Sequence, residues 1–120
     1  PFFLLGSNPA AVTAWSNDFN FEDYIVREFS GYANKHDVLF LLSSSGGDLK
    51  KKQSLNLIKL AKFCKEKNIY LISLIGKNGG ELKKYSQKYI LVNSKNTGSI
   101  QEVQKMILHA ICSYLDCNIK

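Results

Sequence analysis

The sequence of 120 residues is poor in several residue types, and each shortage excludes a class of protein. No apolar run approaches the roughly 18 residues of a membrane-spanning helix. The three cysteines are odd in number and lie in segments with helical spacing, which disfavours a disulfide framework and indicates a reducing compartment. His109, Cys112 and Cys117 have no common zinc-site spacing. We therefore expect a cytoplasmic protein with buried free thiols at Cys64, Cys112 and Cys117.

An excess of positive charge is present instead, with 16 basic and 10 acidic residues and a net charge of +6. Such a charge can attract nucleic acid or phosphorylated metabolites. The lysines are spread over positions typical of helix surfaces and loops, and no recognised nucleic-acid module is present. We therefore expect neither nucleic acid nor a membrane as a partner.

Apolar periodicity predicts alternating strands and helices in a single domain. The predicted strands are Phe2–Leu5, Val38–Leu42, Ile69–Ile75 and Tyr89–Val92. The predicted helices begin with one or two turns from Asn8-Pro9 to Trp15 and continue with Phe21–Tyr32, Ser54–Lys67, a short helix at Glu81–Tyr85, and Ser99–Leu115. This alternation implies parallel strands joined by right-handed crossovers, so the fold class is α/β.

A serine-rich loop, Ser43-Ser44-Ser45-Gly46, directly follows the apolar run Val38–Leu42. Ligands of α/β sheets bind beyond the carboxyl ends of the strands. Hydroxyls, free backbone N–H groups and a permissive glycine there can hold an anion, above all a phosphate. A plain Ser/Gly-rich turn explains the local pattern about equally well, so both interpretations stay open.

Other polar residues have a structural and a functional interpretation. His109 lies in an apolar helix, where a structural histidine is more common than a catalytic one. Gln101 lies eight residues earlier, about 80° around the helix axis and about 12 Å along it, so both could line one elongated pocket. The pair Asn17-Asp18 follows Trp15 and is typical of a cap or turn.

The order of these features resembles the sugar isomerase (SIS) domain family. The resemblance is carried by Asn17-Asp18-Phe19, by Asp37-Val38-Leu39 leading into the serine loop, and by Leu74-Ile75-Gly76-Lys77-Asn78-Gly79-Gly80. It continues with Ile100-Gln101-Glu102-Val103 leading to His109, and it runs over nearly all 120 residues. Together these motifs are similar to the phosphoheptose isomerase branch of the family.

The resemblance implies a three-layer αβα sandwich with a parallel sheet of flavodoxin-like topology. Residues 1–120 would form the C-terminal two thirds of an SIS domain, without the family's N-terminal helix and first strand. The family's catalytic glutamate and a metal-binding histidine lie in that missing part. A folded chain without that strand is expected to expose apolar surface at the edge of its sheet.

The resemblance also implies roles for individual residues. Ser43, Ser44 and Ser45 would bind the substrate phosphate. Ser54 would assist them from beyond a loop that Gly47–Gln53 lengthens, with Lys50–Lys52 near the phosphate. Asn17 and Asp18 would contact the sugar chain. Gln101 and His109 match pocket positions used for substrate and, in some members, for zinc, with His109 as an acid–base group. Gln104 replaces a histidine found in many members.

The activity implied by the resemblance is conversion of sedoheptulose 7-phosphate to D-glycero-D-manno-heptose 7-phosphate, for bacterial surface polysaccharide. This is an aldose–ketose isomerisation through an enediol, in a homotetramer with active sites at subunit interfaces. Two other classes stay open: a non-catalytic sugar-phosphate-binding regulator, and an interaction protein like the family's initiator-associating homologue. Substrate turnover separates the enzyme from both.

Overall fold

The computed structural model describes residues 2–119, which form four helices, three strands and one 3₁₀ turn. The elements in chain order are α1 (Pro9–Asp18), α2 (Phe21–Ser30), β1 (Val38–Ser43), α3 (Leu55–Lys67), β2 (Tyr70–Gly76), the 3₁₀ turn Leu82–Lys84, β3 (Lys88–Val92) and α4 (Thr97–Asn118).

Asparagine side chains begin three of the four helices. Asn8, Asn20 and Asn96 each accept a hydrogen bond from a backbone N–H in the first turn of α1, α2 and α4, respectively. Such caps satisfy N–H groups that have no partner inside the helix. α3 is different, because its cap residue Ser54 is left-handed and its hydroxyl makes no capping bond. That hydroxyl is available for other contacts.

The three strands form one parallel sheet in the order β1-β2-β3. The prediction of a parallel α/β sheet is therefore confirmed. Alternate residues of β1 and β2 point to the face that α2 and α3 cover. They form the core with apolar residues of those helices, with Ile69 directly before β2 and with Leu82 in the 3₁₀ turn. The core residues are Phe29, Leu39, Leu41, Ile58, Leu60, Ala61, Cys64, Ile69, Leu71, Ile75 and Leu82.

The opposite face of the sheet is only partly covered, by α4. Ile100 and Gln104 are the residues of this helix that are buried. Val38 and Leu42 on β1, Tyr70 on β2 and Ile90 on β3 remain between 38% and 58% exposed. The expectation of exposed apolar surface at the sheet edge is therefore confirmed.

Several local predictions were wrong. Phe2–Leu5 forms no strand, and Phe2, Phe3 and Leu4 are largely exposed. The three cysteines are free, but Cys112 and Cys117 are exposed and only Cys64 is buried. The reason is that α4 buries residues only in its first half.

Asn17 and Asp18 form the last turn of α1 and not a separate turn after it.

Within residues 2–119, no helix is long and apolar enough to cross a membrane.

Candidate functional site

The serine loop forms a short chain of hydroxyl groups at the carboxyl end of β1. The Ser43 hydroxyl, which is buried, accepts a hydrogen bond from the Gly46 N–H at 3.1 Å. The Ser45 hydroxyl accepts one from the Gly47 N–H at 3.2 Å. It also lies 3.4 Å from the Ser43 hydroxyl and 3.1 Å from the Ser54 hydroxyl. The structure thus brings Ser54 next to Ser45, although the segment Gly46–Gln53 separates them in the sequence.

The lengthened segment between Gly47 and Ser54 closes on itself, which explains this return. Asp48 and Gln53 form an antiparallel bridge with backbone hydrogen bonds of 3.0 and 2.9 Å. The Asp48 carboxylate accepts the N–H groups of Lys50 and Lys51 at 2.9 and 3.0 Å. The N–H of Lys51 is the main cause that lowers the pKa of this carboxyl group, which keeps it ionised in the turn.

Backbone contact with the loop after β2 holds the serine loop in place. Leu82 N–H donates to the Gly46 carbonyl at 2.9 Å, and Glu81 N–H donates to the Gly47 carbonyl at 3.0 Å. Gly46 has a φ of +72°, and a Cβ atom there would lie 2.4 Å from the carbonyl carbon and oxygen of Gly79. Only glycine fits such an approach of two backbones.

A cleft of about 470 Å³ lies between the serine loop and α4, and we call it the serine cleft. Serine hydroxyls from the loop, with the Gln101 amide and the Lys105 ammonium group from α4, are suitable donors for a phosphate. The lining residues are Leu42, Ser43, Ser44, Ser54, Leu57, Gln101, Gln104, Lys105 and Leu108. The structure therefore places four of the predicted site residues in one cleft: Ser43, Ser44, Ser54 and Gln101.

Gln104 fastens α4 to the sheet at this cleft. Its side chain is buried, and Nε2 donates to the carbonyls of Leu74 at 2.9 Å and of Ser43 at 3.3 Å. Each of these carbonyls is near the carboxyl end of its strand, so one amide joins β1, β2 and α4. This contact orients the serine loop against α4.

Lys105 is a cleft residue that the sequence interpretation missed. Gln101, Gln104, Lys105 and Leu108 have the spacing i, i+3, i+4, i+7 of one helix face. This spacing could have identified Lys105 from the sequence, because it places Lys105 on the same helix face as Gln101. His109 directly follows Leu108 in the sequence, but it lies about 80° from Gln101 around the helix axis and therefore outside this face.

The remaining predicted residues lie outside the serine cleft. Ser45 lines a second cleft together with Lys50 and Lys51, which were expected near the phosphate. His109 is exposed on α4 and does not line the serine cleft. Asn17 and Asp18 are exposed at the end of α1, where the Asn17 amide donates to the Asp18 carboxylate at 3.2 Å. Their assigned roles in substrate binding stay predictions.

The described residues do not fit a zinc ion by themselves. Zinc sites in proteins use about three or four protein ligands. Gln101 and His109 would supply two, and residues 2–119 contain no group of three or more His, Cys, Asp or Glu side chains able to hold a metal.

Comparison with known proteins gave matches over most of the chain, although no family model matches it. A phosphoheptose isomerase from Crocosphaera subtropica is 34% identical over 119 residues, 99% of this chain and 58% of the relative. One from Nitratiruptor sp. is 36% identical over 116 residues, 97% of this chain and 59% of the relative. The chain thus spans under three fifths of the length of these relatives.

Comparison of the fold with solved structures also finds phosphoheptose isomerases. The solved structure of a phosphoheptose isomerase from Francisella tularensis matches with a TM-score of 0.88 and 25% identity, over 98% of this chain and 60% of that one. The enzyme from Neisseria gonorrhoeae matches with a TM-score of 0.81 and 27% identity, over 91% of this chain and 59% of that one. By sequence and by fold, the chain is similar to part of the phosphoheptose isomerases.

Proposed function

We propose that the protein containing this chain isomerises sedoheptulose 7-phosphate to D-glycero-D-manno-heptose 7-phosphate, and that the serine cleft holds the phosphate. The observation that carries the proposal is the convergence of three serine hydroxyls and Lys105 on one cleft at the carboxyl end of β1. Hydroxyl and ammonium donors make charge-assisted bonds to a phosphate dianion. The similarity to phosphoheptose isomerases supports the assignment of the reaction.

In this proposal the chain binds and orients the substrate. Ser43, Ser44, Ser54 and Lys105 hold the phosphate, and the Gln101 amide faces the sugar chain from α4. Fixing one end of a flexible sugar lowers the entropy lost on reaching the reactive geometry. Gln104 acts indirectly, because it fixes the position of α4 against the serine loop.

Isomerisation also needs a base that moves a proton between two adjacent carbons. None of the described residues that line the serine cleft is a carboxylate. The base therefore comes from a part of the protein outside this chain or from a second subunit. A homotetramer with active sites at its interfaces supplies that arrangement, and in it His109, exposed on α4, serves as the acid–base group for the substrate oxygens.

The test is an isomerisation assay on the intact protein with sedoheptulose 7-phosphate, followed by NMR detection of the product. The expected result is turnover that falls at least tenfold in the double variant Ser44→Ala/Ser54→Ala, mainly through a higher KM. Ser113→Ala, an exposed serine on α4, is the matched control and should leave turnover unchanged. The proposal fails if the intact protein does not isomerise this substrate.

A second candidate is a non-catalytic sugar-phosphate-binding regulator, which requires only the phosphate donors that the serine cleft offers. Both functions require binding of the sugar phosphate, and only the isomerase requires product. Binding measured by calorimetry without any product would therefore select the regulator.

A further inference from the structure

A second and larger cleft, of about 980 Å³, opens over the carboxyl ends of all three strands. Its walls are the loops that follow β1, β2 and β3, and we call it the basic cleft. The lining residues are Ser45, Gly47, Asp48, Leu49, Lys50, Lys51, Gln53, Lys77, Asn78, Gly80, Glu81, Asn93, Ser94 and Lys95. The family resemblance places Ser45 and Lys50–Lys52 near the substrate phosphate, but neither the sequence interpretation nor the proposed reaction gives a role to the residues that line this cleft after β2 and β3.

The charges in the basic cleft are unbalanced. Four of its residues are lysines, and two are acids. Glu81 already pairs with Lys84 at 2.7 Å, and the Asp48 carboxylate is bound to two backbone N–H groups. The ion pairs among residues 2–119 involve only Lys59 and Lys84, so the lysines of the basic cleft form no close salt bridge in this part of the chain.

Lys77 has an unusual backbone conformation for a residue with a side chain. Its φ is +54°, directly after β2, in a turn that the Gly79 N–H closes on the Gly76 carbonyl at 3.0 Å. Glycine is the usual residue at such a position, and a lysine there is strained. Strained residues concentrate at ligand sites, where the side chain serves a purpose.

We propose that the basic cleft binds a small phosphorylated ligand with two or more anionic groups, separately from the sugar phosphate in the serine cleft. The volume lies within the usual range for small-molecule sites, about 300 to 1,000 Å³. The lining contains no aromatic side chain on which a base could stack, whereas sites for single-stranded nucleic acid combine a positively charged groove with such aromatic side chains. A compact ligand such as a sugar bisphosphate therefore fits better than a nucleic acid.

The two clefts are linked by the serine loop. Ser45 lines the basic cleft, Ser54 lines the serine cleft, and their hydroxyls lie 3.1 Å apart. A ligand that orders the Asp48–Gln53 turn from the basic side also orders Ser54. Each ligand is therefore expected to increase the affinity of the other by the same factor.

The test uses pyrophosphate as the probe, with calorimetry and amide chemical shifts on the full chain. Pyrophosphate should bind more tightly than inorganic phosphate and should shift the amides of Lys77, Asn93 and Lys95. Lys77→Gly and Lys95→Met should each weaken binding at least fivefold. Lys35→Met, an exposed lysine in the loop before β1, changes the net charge equally and should have no effect.

Two further measurements keep the proposal falsifiable. Lys77→Gly should unfold no earlier than the wild type on heating, because glycine relieves the positive φ, so its loss of binding cannot come from misfolding. Ser44→Ala should retain pyrophosphate binding in the basic cleft. The proposal is overturned if Ser44→Ala abolishes that binding, if Lys77→Gly and Lys95→Met bind as the wild type does, or if a single-stranded oligonucleotide binds more tightly than pyrophosphate.

Discussion

Replacing Gly46 by alanine tests whether backbone contact between the two glycine loops holds the serine loop in place. The new Cβ would lie 2.4 Å from both the carbonyl carbon and the oxygen of Gly79, and 2.8 Å from the Gly80 nitrogen. These neighbours are backbone atoms, so no side chain can rotate away. One of the two loops must move, and the Leu82 N–H bond to the Gly46 carbonyl moves with it.

Two costs add at this position. A left-handed conformation costs a residue with a side chain about 1 to 2 kcal/mol. Forcing an extra methyl group into a filled space costs about 1 to 3 kcal/mol. The free energy of unfolding should therefore fall by roughly 2 to 5 kcal/mol, a large share of the about 5 to 15 kcal/mol typical of a domain. For a chain of this size, that corresponds to a decrease in Tm of about 10 to 20 °C.

The measurement is urea and thermal unfolding, followed by circular dichroism. Gly31→Ala is the matched control, because Gly31 has a φ of −69° and a Cβ there meets only the Glu28 carbonyl, at 3.4 Å. That variant should differ from the wild type by less than about 1 kcal/mol. If Gly46→Ala is as stable as Gly31→Ala, the two loops are not held together by close backbone packing.

Three other expectations concern separate parts of the molecule. Gln104→Leu leaves two strand carbonyls without their amide donor, so it should cost about 1 to 3 kcal/mol in urea unfolding and weaken sugar-phosphate binding; unchanged binding would mean that α4 is positioned in another way. Burial raises the pKa of the Cys64 thiol to about 11, so a thiol reagent should modify two cysteines in the native protein and the third only after unfolding. The hydrogen bond from Lys59 lowers the pKa of Asp23, so its stabilisation is present above the ordinary value of 3.8 and is lost as the pH falls below it. Asp23→Asn should lose less stability than the wild type on acidification, and identical pH profiles would contradict this.

The local elements could be predicted because their signals are local. Asn20 caps α2, and the apolar runs at β1 and β2 have turn residues at their ends. The prediction for Phe2–Leu5 was wrong because a short apolar run becomes a strand only when a neighbour supplies hydrogen bonds, and none does so within the described residues.

The candidate site was predictable only in part. Ser43 and Ser44 follow directly from the strand that carries them. Lys105 and the amide role of Gln104 depend on which face of α4 meets the sheet, and an apolar stripe defines that face only approximately. His109 was placed near the cleft by its spacing from Gln101, although it lies beside the face that lines the cleft.

The sequence by itself determined the α/β class, the parallel order of elements and the position of the serine loop after β1, because periodicity and turn residues act over short distances along the chain. Tertiary structure decided which loops meet. It brought Gly46 against Gly79, Ser54 against Ser45, and the lysines of three separate loops into one basic cleft. Such contacts join residues far apart in the chain, and they form only when the parallel strands place their carboxyl ends at one edge of the sheet.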